Sequence, residues 1–183
     1  MSQSITHCMY YIAIACPREV DDKVMIFKQW MKEQFGSVVA LKSPAHITLI
    51  PPAWINISRE TELLQRLQSF SNDGEELSIR LDGFSHFGKR VLFIRVNENP
   101  ALQELQKQTE NHFFQYFEDV LKKDTRPFHP HITIANRDIK PGDFEKAWQH
   151  FSERKFNEII STNAIALFKL TQGKWDVIGE KRY

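Results

Sequence analysis

Two tripeptides carry the chemical signal in this chain: His46-Ile47-Thr48 and His131-Ile132-Thr133, with the histidines 85 residues apart in a chain of 183. On an extended strand side chains alternate faces, so His46 and Thr48 share one face while Ile47 and Leu49 turn toward a core. His131, Thr133, Ile132 and Ile134 repeat that arrangement. Two such strands side by side place two imidazoles around a space lined by two hydroxyls. Displacement at phosphorus needs this equipment: a base for the attacking oxygen and an acid for the departing one. Histidine serves either purpose, because its ordinary pKa of about 6.5 leaves both protonation states populated near neutrality. Thr48 and Thr133 are placed to donate hydrogen bonds to the non-bridging oxygens. No metal and no cofactor is expected. A zinc reading competes, since His129 and His131 lie on one strand face and His46 offers a third nitrogen. It leaves the threonine at the same offset after each histidine unexplained, and no cysteine or acidic cluster accompanies it.

The elements around these tripeptides recur as well. Cys8 to Cys16 reads as a buried strand, and Val20, Val24, Phe27, Met31 and Phe35 mark one face of a helix over Arg18 to Phe35 that Gly36 ends. Ser37 to Lys42 suggests a short strand. Pro44 to Ile50 suggests another, stopped by Pro51-Pro52. Ser58 is the expected N-cap of a helix that carries Leu63, Leu64, Leu67 and Phe70 and closes at Asn72-Asp73-Gly74. Glu75 to Phe84 alternates as a half-buried strand and pairs with Val91 to Val96 through a loop over His86 to Arg90. A long helix begins near Pro100, with Leu102, Leu105, Phe113, Phe117 and Leu121 on its apolar face, and His131 to Ala135 is the next strand. A helix over Pro141 to Arg154 and strands near 158–161, 165–170 and 175–178 complete the chain. Strand, helix, loop and His-Ile-Thr thus occur twice, over about 8–50 and 91–135. A duplicated unit with an approximate two-fold axis would bring the two tripeptides face to face.

Composition narrows the partners. A formal net charge of +1 gives no excess of cations for holding long duplex nucleic acid. No apolar run is long enough to span a bilayer, and residues 1–7 lack the basic start and apolar core of a signal peptide, so a cytoplasmic location, no membrane contact and a monomer are expected. Cys8 and Cys16, on one strand, would lie ~25 Å apart, too far for a disulfide, and are expected to be buried free thiols.

The paired His-x-Thr-hydrophobic segments, together with Phe128-His-Pro130 and Gly83 to Leu92, resemble the two-histidine (2H) phosphoesterase superfamily, in its 2'-5' RNA ligase-like and cyclic phosphodiesterase branch. The resemblance covers nearly the whole chain. It implies a single bilobed α+β unit over 1–183, pseudo-two-fold, with antiparallel sheets lining a central cleft and helices outside. It also implies that a 2',3'-cyclic phosphate of a nucleotide or RNA end is opened to a 2'-phosphate, with 2'-5' ligation as the reverse reaction and a nucleotide-binding module with little turnover as another outcome. By position His46, Thr48, His131 and Thr133 are the implied catalytic tetrad, with His131 as base and His46 as acid. Relatives carry an arginine shortly after the second motif; here Ala135-Asn136 intervenes and sets Arg137 one residue out of register. Arg137, Arg126 and Lys42 are candidate cations near the cleft, and Phe87 is a candidate to stack on a base.

Overall fold

A computed structural model describes residues 6–72, 76–122 and 126–183. The elements run β1 (His7–Ala15), α1 (Arg18–Phe35), β2 (His46–Asn56), α2 (Glu60–Ser69), β3 (Leu77–Phe87), β4 (Val91–Val96), α3 (Pro100–Phe117), β5 (His131–Ala135), α4 (Pro141–Ser152), β6 (Asn157–Thr162), β7 (Ala164–Thr171) and β8 (Lys174–Arg182). Helix α1 buries Val20, Val24, Lys28 and Met31, a face at intervals of three and four residues. It stops at Gly36, which adopts φ +68° and returns its N–H to the Lys32 carbonyl at 2.8 Å. Helix α3 starts where the Asn99 side chain accepts the Leu102 N–H at 3.0 Å.

Several boundaries differ from the sequence reading, each for a local reason. Residues 37–42 form no strand: Val39–Lys42 is a 3-10 turn, and the Asp138 carboxylate takes the Val38 and Val39 N–H groups at 2.5 and 2.9 Å, so neither is left for a ladder. Strand β2 runs through Pro51-Pro52 to Asn56. It is an edge strand, and the register steps from Ile12 opposite Ile50 to Tyr10 opposite Ala53. The two prolines therefore bulge opposite Tyr11 alone, where no donor is needed. Ser58 does not cap α2: it lies in the 3-10 turn Ile57–Arg59, whose cap is Asn56 with its side chain accepting the Ser58 N–H at 3.0 Å, and α2 itself follows Arg59 with no side-chain cap bond. That helix ends at Ser69; Asp73, Gly74 and Glu75 of the expected stop and following strand lie outside the described residues. Helix α3 stops at Phe117, with Leu121 buried from the turn beyond it, and α4 ends at Ser152. Cys8 and Cys16 are free but half-buried rather than fully enclosed.

The strands make two antiparallel four-stranded sheets, ordered β2-β1-β7-β8 and β5-β4-β3-β6. The order makes β2 and β5 equivalent, as are β1 and β4. The equivalence extends to an irregularity. Ile12 faces Ile50 and Ala13 faces Thr48, leaving Leu49 extra; Leu92 faces Ala135 and Phe93 faces Thr133, leaving Ile134 extra. One bulge thus follows each His-x-Thr at the same place. The helices cross between halves. Helix α1, from the first repeat, packs on β5, and α3, from the second, packs on β2, where Gln106 donates to the Leu49 carbonyl at 3.4 Å. Phe27 of α1 meets Phe84, Phe151 and Phe156 edge-on in the second half. The two halves therefore share one continuous core, with helices outside the sheets and β2 and β5 in contact at the centre.

Candidate active site

Both histidines sit at the first residue of their strands, on the edges that meet. The backbone carbonyl two residues before each does the orienting. His46 Nδ1 lies 2.8 Å from the carbonyl of Pro44, and His131 Nδ1 lies 2.8 Å from the carbonyl of His129. A carbonyl only accepts, so each Nδ1 must carry the proton, and each Nε2 is left to exchange one with whatever occupies the cleft. Two equivalent residues in two equivalent strands hold the same tautomer by the same contact. The Thr48 and Thr133 hydroxyls are half-buried on the same faces and make no hydrogen bond among the described residues.

The approach to His46 is anchored from α1. The buried Lys28 ammonium donates to the Ser43 carbonyl at 2.8 Å, and the Asp21 carboxylate accepts the Ala45 N–H at 2.6 Å. Cys16 N–H donates to the Ala45 carbonyl at 2.9 Å. These three bonds fix the backbone around Pro44 and with it the carbonyl that orients His46. Burial lowers the Lys28 pKa to about 8, with Asp21 and Cys16 pulling the other way.

Burial also sets the protonation of the pair. His46 is pushed down to about 4, chiefly by burial, opposed by the Pro44 carbonyl and reinforced by the charges of Lys28 and His131. His131 is lowered too, again chiefly by burial, with His129 adding to the effect. The two rings stand at the starts of strands that are in contact. Aromatic rings wall both. Tyr11 and Phe168 lie 4.9 and 5.5 Å from the His46 ring, and Phe87 and Phe93 each lie 5.0 Å from that of His131. The phenol of Tyr11 is buried, with its hydroxyl beside Ser43 but not in hydrogen-bonding geometry, so that oxygen has no partner among the described residues.

The remaining sequence candidates divide. Phe87 is brought against His131 with its ring nearly perpendicular and 39% of its surface exposed, so it borders the site. Lys42 and Arg137 are exposed and make no side-chain hydrogen bond or ion pair among the described residues; Arg126 is exposed ahead of β5. One cation escaped the sequence reading. Arg95 lies directly opposite His131 on β4, its Nε donating to the Asp82 carbonyl at 2.8 Å. Its guanidinium rests on Gly83, where an added Cβ would come within 2.9 Å of a terminal nitrogen at a φ of +64°. The signal was present as Gly83 followed, after a hairpin, by a lone Arg inside an apolar strand. No three His, Cys, Asp or Glu side chains among the described residues converge to hold a metal. The zinc arrangement is not assembled.

The profile of the 2'-5' RNA ligase superfamily matches residues 19–174, and no curated protein matches the sequence. The fold is similar to that of TT0787 of Thermus thermophilus, at 17% identity with a TM-score of 0.65 over 94% of this chain and 96% of that one. It is similar also to Escherichia coli LigT without ligand, at 16% identity and a TM-score of 0.66 over 95% and 96% of the two chains. LigT with NADP+ gives 19% identity and 0.66 over 96% of each.

Proposed function

The chain belongs to the 2'-5' RNA ligase superfamily, and from that premise we propose that it is a phosphodiesterase that opens 2',3'-cyclic phosphates of nucleotides or RNA ends to 2'-phosphates, using His46 and His131 as acid and base without a metal. The observation that carries this reading is the matched pair of Nδ1 contacts to the carbonyl two residues before each histidine. It leaves two Nε2 atoms, on strands in contact, as the proton-exchanging groups. Water attacks phosphorus as one Nε2 takes its proton; the bond from phosphorus to the 3' oxygen breaks as the other Nε2–H protonates that oxygen. Thr48 and Thr133 hold the non-bridging oxygens, and Arg95 beside His131 adds a positive charge to the phosphate.

The order of the two pKa values favours a definite assignment. Burial lowers the pKa of both rings, that of His46 furthest, so the proton that a bound phosphate brings goes preferentially to His131, which serves as the acid, and neutral His46 serves as the base. This is opposite to the assignment the family resemblance suggested. Anionic phosphate between the rings raises both pKa values and brings the protonated partner into the working range. The reverse reaction, joining a 5'-hydroxyl to a cyclic phosphate as a 2'-5' linkage, follows by microscopic reversibility on the same residues. LigT has been solved with 3'-AMP and with ATP, which supports a nucleotide as the group attached to the phosphate.

Incubation with 2',3'-cyclic AMP in excess chelator tests the reading. The product expected is the 2'-phosphate, with His46→Ala and His131→Ala each slower by at least about 100-fold, the scale of a lost general acid or base. Full activity in either variant, or dependence on added metal, would overturn it.

A further inference from the structure

The sheet that carries His46 has more surface than a cyclic phosphate needs. Its cleft face can be read in rows across the strands. His46 is level with Ala15, and Ala164 with Arg182; Thr48 is level with Ala13, Ala166 and Glu180. Farther along, the formal charges vanish. Phe168 is level with Tyr11 and Val177, and the last row to cross all four strands is Trp54 opposite Met9, then Leu170 opposite Trp175 when the β1 and β7 register is continued by one residue; beyond it β1 and β2 run on to His7 opposite Asn56. Trp54 is 60% and Val177 45% exposed, while Met9, Leu170 and Trp175 are half-buried. Neither Trp54 nor Met9 joins the core on the helix side of the sheet. Trp175 leans on Tyr11 at 4.6 Å, edge to face, and Tyr11 in turn stacks on Phe168 at 4.5 Å and touches His46. An uncovered aromatic strip is thus continuous with the ring beneath the catalytic imidazole.

We propose that Trp54, Met9, Leu170 and Trp175 form a stacking platform for the bases that precede the terminal nucleotide of a single-stranded RNA ending in a cyclic phosphate. The inference rests on the function proposed above and narrows its substrate from nucleotides in general to RNA ends. Dimensions agree. From the level of Ala15 to that of Met9 is six residues, or ~20 Å of strand, and the row of four strands is ~14 Å wide, space for a few unstacked nucleotides rather than one. Bases have faces but no fixed hydrogen-bond demand, so an apolar aromatic strip accepts any of them, while duplex RNA, whose bases are already stacked, gains nothing there. The strip has no cation, so the backbone of such a strand would be held at the histidines and the bases on the sheet. Continuity with a phosphate-directed site favours a nucleic acid over a protein as its occupant.

Trp54 touches none of the groups placed in the catalytic machinery, which makes it the test position. With a short oligoadenylate ending in a 2',3'-cyclic phosphate, Trp54→Ala should lower kcat/KM by about 5- to 150-fold, the range for loss of one base stack, mainly through KM. With 2',3'-cyclic AMP the same variant should match the wild type, and Trp54→Phe should restore most of the oligonucleotide rate. The loss should be the same at low and high salt, since no phosphate contact is removed. An equal effect on both substrates, or none on the oligonucleotide, overturns the platform while leaving the proposed function intact. Binding separates the converse case: an oligoadenylate with a 2'-phosphate end, titrated into the His46→Ala, His131→Ala double variant, should quench tryptophan fluorescence, and the Trp54→Ala change should weaken that binding. Such binding without turnover by the wild type would sustain the platform and sink the cyclic phosphodiesterase. Unchanged binding by the Trp54→Ala form, with a dimer becoming a monomer in sedimentation, would assign the strip to self-association and refute the proposal.

Discussion

Acid should destabilise this protein through His46 by a calculable amount. The ring's pKa falls from 6.5 when free to about 4 in the fold, so the unfolded chain takes up its proton first as pH drops. Stability from this group is therefore complete above pH 6.5, drains away between 6.5 and about 4, and is constant below that. At 1.36 kcal/mol per unit the full shift is worth roughly 3 kcal/mol; because the ring is half-buried and coupled to His131, about 2 kcal/mol is the expected share. Urea unfolding of the wild type and of His46→Gln, compared from about pH 7.5 to about pH 4, isolates it, since every other titrating group is common to both. The wild type should lose about 2 kcal/mol more than the variant over that interval. Inorganic phosphate or 2'-AMP, by raising the ring's pKa, should shrink the difference. Parallel pH profiles for the two proteins would show that His46 is not held neutral, and the assignment of His46 as base would fall with it.

Other residues make separate demands. Asp138 receives the Ser37 hydroxyl and the Val38 and Val39 N–H groups, so Asp138→Ala should cost about 2–4 kcal/mol in urea unfolding, with Asp138→Asn recovering only part. Gly83→Ala should cost about 1–2 kcal/mol for its left-handed backbone and should also raise KM for a cyclic phosphate, because the new methyl group displaces Arg95; an unchanged KM would remove Arg95 from the site. Lys28→Met should cost about 1–3 kcal/mol by orphaning the Ser43 carbonyl, and should raise the His46 pKa, seen by NMR titration, by removing a positive charge that depresses it.

Much of this was legible from residue order, and the exceptions share a cause. The apolar spacing of α1 and α3, the alternation in β3 and the repeated His-Ile-Thr depend on local pattern, and the strands and helices formed where that pattern placed them. What depended on a distant partner did not show. Residues 37–42 turn because Asp138, about a hundred positions later, claims their N–H groups. Pro51 and Pro52 stop a strand only if each backbone N–H is required, and at an edge bulge none is. Arg95 carries no distinguishing pattern within Val91–Val96, and only the pairing of β4 with β5 sets it opposite His131. The exchange of α1 and α3 between halves, which ties the two tripeptides to one core, has no signature in composition at all.

In the mechanism proposed above both imidazoles address one phosphate. Titrating the protein with 2'-AMP while following the side-chain nitrogens of His46 and His131 by NMR tests it directly. Both Nε2 signals should move together with one Kd, both pKa values should rise on binding, and each Nδ1 should remain protonated throughout. Movement of only one histidine, or two different Kd values, would contradict the account.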